Sequence, residues 1–206
     1  MQEKTVPLYG GAITCTLPLS MVDVSELRQV PDTQEVYTEV ETGTCVIFEL
    51  LARERGVGNE ECGAYFYADL ARANGCGKED FTFSPQETLC AVDYPQISGP
   101  SSGLDEANRF ACAFACLVTG RQRVSKYTNE KGKENDVLVV MAVLRFEPPV
   151  STDIIISISA PQRIHPESSE ARVVQRLRSD EEVMAMIRRL LATFKVKDWG
   201  LFVLEE

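Results

Sequence analysis

The sequence lacks the features of a membrane or secreted protein. It contains no run of about 18 apolar residues, the length that a membrane-spanning helix needs. The opening residues, Met1 to Lys4, do not show the basic and then apolar order of a secretory signal peptide. The 7 cysteines are odd in number and occur singly, unlike a secreted disulfide framework. We therefore expect a protein of the nucleus and cytoplasm whose cysteines are reduced and mostly lie in the core.

Basic residues are also too few for binding to phosphate-rich partners. Lysine and arginine total 21 against 31 aspartate and glutamate residues, so the formal net charge is −10 at pH 7. This balance disfavours nucleic acid and anionic membranes as partners. The hydrophobic content of 44% is typical of a globular protein, and a chain of 206 residues can bury a full core. We expect one domain over residues 1–206 and a monomer.

The sequence has little that could perform catalysis. His165 is the only histidine, and it lies in a polar loop with no base or nucleophile paired to it in sequence. Residues 99–103 match the Gly-x-Ser-x-Gly pattern of a hydrolase nucleophile, centred on Ser101. However, Pro95 and Pro100 crowd the preceding strand position and no helix follows, so the pattern favours a loop.

Metal and cofactor motifs are absent from the sequence as well. On the strand predicted below, Cys112 and Cys116 would share one face about 13 Å apart, too far to bind one zinc ion. No Cys-x-x-Cys or His-x-x-x-His pair occurs. The glycines at 56–58 and 75–77 do not continue into a phosphate-binding motif. We expect no metal, no cofactor and no enzymatic activity.

The pattern of β-branched and aromatic residues predicts an antiparallel sheet built from hairpins. One hairpin is predicted within residues 7–17, with two short strands around a turn or bulge at Gly10-Gly11. The other predicted strand pairs are 35–40 with 44–51, and 109–124 with 136–146. A further strand is predicted at 153–159, where Pro161 ends it.

Two helices and a loop-rich region complete the prediction. Apolar spacing predicts a helix at 60–74, capped by Asn59 and ended by Gly75. A Ser179–Glu182 capping box begins a C-terminal amphipathic helix. Residues 20–28 favour a helical turn, and 75–104 a loop with at most one short strand around 81–83. These elements describe an α+β domain.

Acidic residues cluster in the first quarter of the chain. They are Asp23, Glu26, Asp32, Glu35, Glu39, Glu41 and Glu49. Such a cluster usually keeps a surface hydrated, but the segment 32–35 follows Pro31 at the start of a strand. Carboxylates held stiffly at such a position can bind a basic partner.

Several segments along the chain match the pattern of one protein family. Residues 7–13 read PLYGGAI, and residues 23–37 read DVSELRQVPDTQEVY. Together with Leu17-Pro18, they resemble the N-terminal signature of the Mog-type Ran-interacting proteins, also called Ran guanine nucleotide release factors. The resemblance continues more loosely at 46–51, 143–146, 152–158, 194–196 and 201–202.

The resemblance implies both a fold and a function. The family shares a fold with the photosystem protein PsbP, a curved antiparallel sheet flanked by helices. It also implies binding to the GTPase Ran, promotion of guanine nucleotide release and a role in nuclear protein import. On this basis the candidate Ran-binding residues are Asp23, Arg28, Asp32, Gln34, Glu35 and Glu49.

One position departs from the family pattern. The family carries an acidic residue directly before a Leu-Leu pair and another just after it, in a ridge implicated in Ran binding. Glu49 matches the first position, but Ala52 stands at the second, where Glu54 could substitute. The alternatives are a PsbP-like small-ligand or scaffold domain that binds no GTPase, and a serine hydrolase that uses Ser101 and His165.

Overall fold

The computed structural model describes residues 2–25, 29–99, 110–125 and 132–205. In chain order the strands are β1 (Glu3–Leu8), β2 (Ile13–Pro18), β3 (Val22–Asp23), β4 (Gln34–Glu39), β5 (Thr44–Ala52), β6 (Phe81–Phe83), β7 (Glu87–Thr88), β8 (Phe114–Val124), β9 (Asn135–Phe146), β10 (Thr152–Arg163) and β11 (Lys195–Val196). The α-helices are α1 (Cys62–Ala73) and α2 (Asp180–Thr193), and short 3-10 turns lie at Tyr9–Gly11, Ser169–Arg172 and Trp199–Leu201.

The strands form two antiparallel sheets. Among the described residues, the large sheet has eight strands: seven follow the order β3-β4-β5-β10-β9-β8-β6, and β7 also pairs with β8. The small sheet has the order β1-β2-β11. The large sheet is open, and the helices lie against its faces, so the predicted α+β architecture is confirmed.

The core has two parts because β9 is buried on both of its faces. Alternate side chains of a strand point to opposite faces. Leu138, Val140, Ala142 and Leu144 belong to a cluster with α2 and the small sheet. Their neighbours Val137, Val139, Met141 and Val143 belong to a second cluster with α1. We call these faces of the large sheet the α2 face and the α1 face.

The predicted hairpins and the C-terminal helix are confirmed. Gly10 and Gly11 have φ of 65° and 95° in the turn between β1 and β2, conformations that glycine adopts without strain. The capping box of α2 is complete, since Ser179 Oγ accepts from the Glu182 N–H at 3.2 Å and Glu182 Oε2 accepts from the Ser179 N–H at 2.8 Å. Within the described ranges, no helix has both the length and the apolar character needed to cross a bilayer.

Several local predictions are wrong. A helical turn was predicted at 20–28, but Val22–Asp23 form strand β3 and pair with β4. Residues 26–28 of that segment lie outside the described ranges. Strand β10 continues past Pro161 to Arg163. Proline, which has no backbone N–H, is tolerated there because the pairing of β10 with β5 ends at Ser159. Beyond that residue, no backbone donor is needed on the side of β10 that faces β5. The loop-rich region also contains a second short strand, β7.

Two predicted side-chain positions are also wrong. Asn59 does not cap α1. The N-cap residue is Glu61, and its side chain makes no capping hydrogen bond. Asn59 Oδ1 instead accepts a hydrogen bond from Arg145 at 3.1 Å. Cys112 and Cys116 do not share a strand face, because Cys112 precedes β8 and packs in the α2-face core while Cys116 packs in the α1-face core.

Candidate functional site

One edge of the large sheet contains most of the predicted partner-binding residues. Strands β3, β4 and β5 form this edge, with Asp23 on β3, Gln34 and Glu35 on β4, and Glu49 on β5. Asp32 is exposed in the turn that precedes β4. Arg28, the predicted basic member of the set, lies outside the described residues.

The strand register divides these residues between the two faces of the sheet. Gln34 lies opposite Glu49, and Glu35 lies opposite Phe48. Residues directly opposite share a face, and successive residues alternate. Phe48 belongs to the α2-face core, so Glu35 lies on the α2 face, whereas Gln34 and Glu49 lie on the α1 face. Asp23 lies opposite Tyr37, another α2-face core residue, and therefore accompanies Glu35.

Glu35 anchors the turn between β1 and β2. Its Oε1 accepts from the Tyr9 N–H at 2.6 Å, and the Tyr9 hydroxyl donates to the Thr33 carbonyl at 3.1 Å. Tyr9 has a positive φ of 50°, which is uncommon for a residue other than glycine. Burial raises the pKa of Glu35, the Tyr9 N–H opposes that rise, and the Asp23 charge adds to it. We infer that Glu35 positions the edge of the sheet rather than presenting a free carboxylate.

Glu49 has a different environment on the α1 face. Its Oε1 accepts from Gln34 Nε2 at 2.7 Å, so a neutral amide holds the carboxylate in place. The side chain is partly exposed, and Ile47 and Leu51 flank it on the same face. This arrangement provides an oriented carboxylate beside apolar surface, which suits a basic group of a protein partner.

The other acidic residues are engaged within the fold. Asp23 Oδ1 accepts from the N–H and the hydroxyl of Ser25, at 2.8 and 2.7 Å. Glu39 is buried and accepts from Arg178 Nη2 at 2.7 Å, so it does not belong to the acidic surface. At the position of the family's second acidic residue, Ala52 is exposed; Glu54 Oε1 accepts from the Gly56 N–H at 2.8 Å within its own turn.

Sequence reasoning missed the buried ion pair that holds the loop after β5. Arg145 Nε donates to Asp153 Oδ1 at 3.0 Å, and both side chains are 0% exposed. The guanidinium also donates to the carbonyls of Val57 and Glu54, at 2.9 and 2.7 Å. A signal was available, because each charge stands directly beside an apolar run, Arg145 after residues 137–144 and Asp153 before residues 154–156.

Of the two residues of the hydrolase alternative, His165 lies in the described part of the chain and Ser101 does not. His165 Nδ1 accepts from the Glu167 N–H at 3.2 Å in its own loop. The described part of the chain contains no group of three or more histidine, cysteine or acidic side chains arranged to bind a metal.

A family model and several known proteins match this sequence. The sequence model of the family "Ran-interacting Mog1 protein" matches residues 6–161. The chain is 36% identical to the Ran guanine nucleotide release factor of Danio rerio, with 80% of this chain and 82% of that protein covered. It is 28% identical to the nuclear import protein MOG1 of Saccharomyces cerevisiae, with 98% and 86% covered.

A solved structure also resembles this fold. The crystal structure of the Saccharomyces cerevisiae Ran-binding protein Mog1p aligns with a TM-score of 0.66 and 26% sequence identity. The alignment covers 98% of this chain and 99% of that one. The same fold therefore extends over nearly all of both proteins.

Proposed function

Because the chain belongs to the family of Ran-interacting Mog1 proteins, we propose that it binds the GTPase Ran and promotes the release of guanine nucleotide, in support of nuclear protein import. The observation that carries the proposal is the family match over residues 6–161. The protein acts by binding and performs no catalytic step of its own. This role implies work in both the nucleus and the cytoplasm.

The proposed contact with Ran centres on Glu49. This carboxylate is oriented by Gln34 at the edge of the large sheet, and Asp32 is exposed in the turn before β4. Opposite charge across an interface speeds association and selects the partner. Glu35 contributes by holding the turn between β1 and β2 on the same edge.

Reversing the charge at Glu49 tests this site. Glu49→Lys is expected to weaken binding to nucleotide-free Ran about tenfold, mainly through slower association, and to reduce its dependence on salt. Surface plasmon resonance at several ionic strengths measures both effects. The matched control is Glu79→Lys, because Glu79 is an exposed carboxylate beside the opposite edge strand, β6.

Equal binding by wild type and a folded Glu49→Lys protein would place the interface elsewhere. Equal losses in the Glu49 and Glu79 variants would show that only net charge matters. A small-ligand or scaffold domain that does not contact a GTPase would give no binding in any of these measurements.

Nucleotide release imposes a further requirement on the binding affinities. A protein that displaces nucleotide by stabilising empty Ran must bind Ran with negative coupling to nucleotide, and the coupling is reciprocal. We expect saturating GTP and magnesium to weaken its affinity for Ran roughly 5–150-fold, the range of typical coupling energies. Calorimetric titrations with and without nucleotide measure this factor. Equal affinities would leave Ran binding intact but remove equilibrium displacement of nucleotide.

A further inference from the structure

A small hollow lies beside Glu49 on the α1 face of the large sheet. Its volume is about 160 Å³, and it lies between helix α1 and strand β5. The apolar side chains that line it are Ile47, Leu51, Phe66, Leu70 and Met141. We call this space the Glu49 hollow.

The large sheet closes the floor of the Glu49 hollow. Ile155 and Ser157 on β10 are 5% and 4% exposed, and Met141 on β9 is 1% exposed. A hollow of about 160 Å³ is smaller than small-molecule sites, which measure roughly 300–1,000 Å³. Its size suits one long side chain of a partner, and neither a helix nor a small-molecule ligand.

Ser157 provides a polar group on this floor. Its side chain lies on the α1 face, because its neighbours Ile156 and Ile158 pack in the α2-face core. Its hydroxyl makes no hydrogen bond to another described residue, although the residue is almost fully buried. Buried polar groups are usually hydrogen-bonded. The hydroxyl is therefore available to a polar group that enters the hollow.

The charged side chains around the hollow are both acidic. They are Glu49 on β5 and Asp69 on α1, and no lysine or arginine among the described residues lines the hollow. Arg72 pairs with Asp69 at 3.0 Å, but the two side chains are 63% and 64% exposed, so this pair is weak. The hollow therefore attracts a positively charged side chain.

The combination of apolar walls and carboxylates suits lysine better than arginine. The aliphatic stem of lysine lies against apolar surface while its ammonium group reaches polar atoms. Gln34 already donates to Glu49 Oε1 at 2.7 Å, which leaves Oε2 for a partner. One free oxygen favours the point charge of lysine over the guanidinium of arginine, which prefers to donate to both oxygens of a carboxylate.

We propose that the Glu49 hollow binds one lysine side chain of Ran. The stem of that lysine packs between Leu51 and Phe66, and its ammonium donates to Glu49 Oε2 and to the Ser157 hydroxyl. Asp69 adds attraction at the rim. The inference rests on the proposed function and extends it by naming the side chain of the partner and the residues that hold it.

The first test fills the hollow without changing any charge. Ser157→Val adds volume at the floor and removes the hydroxyl, and we expect binding to nucleotide-free Ran to weaken about tenfold. Its dependence on salt should stay as in the wild type, since no charge is altered. Ser159→Val is the matched control, because Ser159 lies on the same face of β10 but lines a different hollow. It should bind Ran as the wild type does.

A second variant narrows the hollow from the helix. Ala73 lines it from the exposed end of α1, so Ala73→Leu should also weaken binding while the sheet stays unchanged. Surface plasmon resonance measures the affinities, and thermal melting by circular dichroism confirms that each variant is folded.

Zero-length cross-linking identifies the partner side chain. A carbodiimide joins a carboxylate to a lysine amine only when the two are in contact, and it does not join arginine. We expect mass spectrometry of the treated complex to find Glu49 or Asp69 joined to one lysine of Ran. Glu79, beside the opposite edge strand, serves as the internal control and should form no link.

The outcomes separate this inference from the proposed function. Wild-type affinity in either folded hollow variant, or an equal loss in the Ser159 control, would overturn the inference and leave Ran binding standing. A complex without a cross-link at Glu49 or Asp69 would do the same. Failure of the wild-type protein to bind Ran at all would overturn both.

Discussion

Replacing Arg145 with methionine is expected to lower the free energy of unfolding by about 3–5 kcal/mol, the cost of breaking a buried ion pair. Arg145 and Asp153 are both 0% exposed, so the substitution leaves the Asp153 carboxylate in the core with only the Glu54 N–H at 2.9 Å and the more distant Arg53, whose Nε is 3.7 Å from Oδ1. It also removes the donors to the carbonyls of Val57 and Glu54. Urea denaturation followed by circular dichroism measures the loss.

Two further variants test the explanation for the Arg145 result. Arg55→Met removes an exposed ion pair with Glu205, which should cost at most about 1 kcal/mol. The double substitution Arg145→Met with Asp153→Leu should recover part of the loss, because no carboxylate is then buried without Arg145, and Arg53, which loses Asp153, keeps its 3.0 Å pair with Glu147. If Arg145→Met costs no more than Arg55→Met, the pair is hydrated and contributes little to folding.

Truncating Leu190 to alanine is expected to cost about 2–5 kcal/mol, as for other large-to-small changes in a core. Leu190 is 0% exposed on α2 and belongs to the α2-face core together with Ile187 and Phe194. Helix α2 contacts β2, β9 and β10, so a cavity at this point lies between the two sheets and the helix. Denaturant unfolding monitored by tryptophan fluorescence measures the change.

Leu177→Ala is the matched control for the Leu190 variant. Leu177 is 41% exposed just before α2, and its truncation should change stability by about 0.5 kcal/mol or less. A loss at Leu190 no larger than the loss at Leu177 would show that α2 is not packed against the sheets.

Local sequence signals were sufficient to predict much of the fold. The α2 capping box lies within residues 179–182, and the β1–β2 hairpin turns on adjacent glycines. Predictions failed where contacts distant in sequence decide the structure. Pro161 stays in β10 because the partner strand ends first, and Asn59 is drawn to Arg145, 86 residues away.

The candidate site was only partly predictable for the same reason. The resemblance to the family selected Glu35 and Glu49, but it did not contain the strand register that puts them on opposite faces. No sequence pattern indicates that Glu35 accepts from the Tyr9 N–H, because that contact joins two separate hairpins. Gln34 was among the predicted binding residues, but its hydrogen bond to Glu49 forms only because β4 pairs with β5.

Because β9 is buried on both faces, a mutation on one face of the large sheet affects a different core cluster from a mutation on the other face. Met141 and Ala142 are adjacent in sequence, but one packs under α1 and the other under α2. A change of volume at one of them disturbs a different set of neighbours from a change at the other. A substitution under α1 and a substitution under α2 that share no contacting side chain are therefore expected to lower the free energy of unfolding nearly independently, provided that they lie well apart.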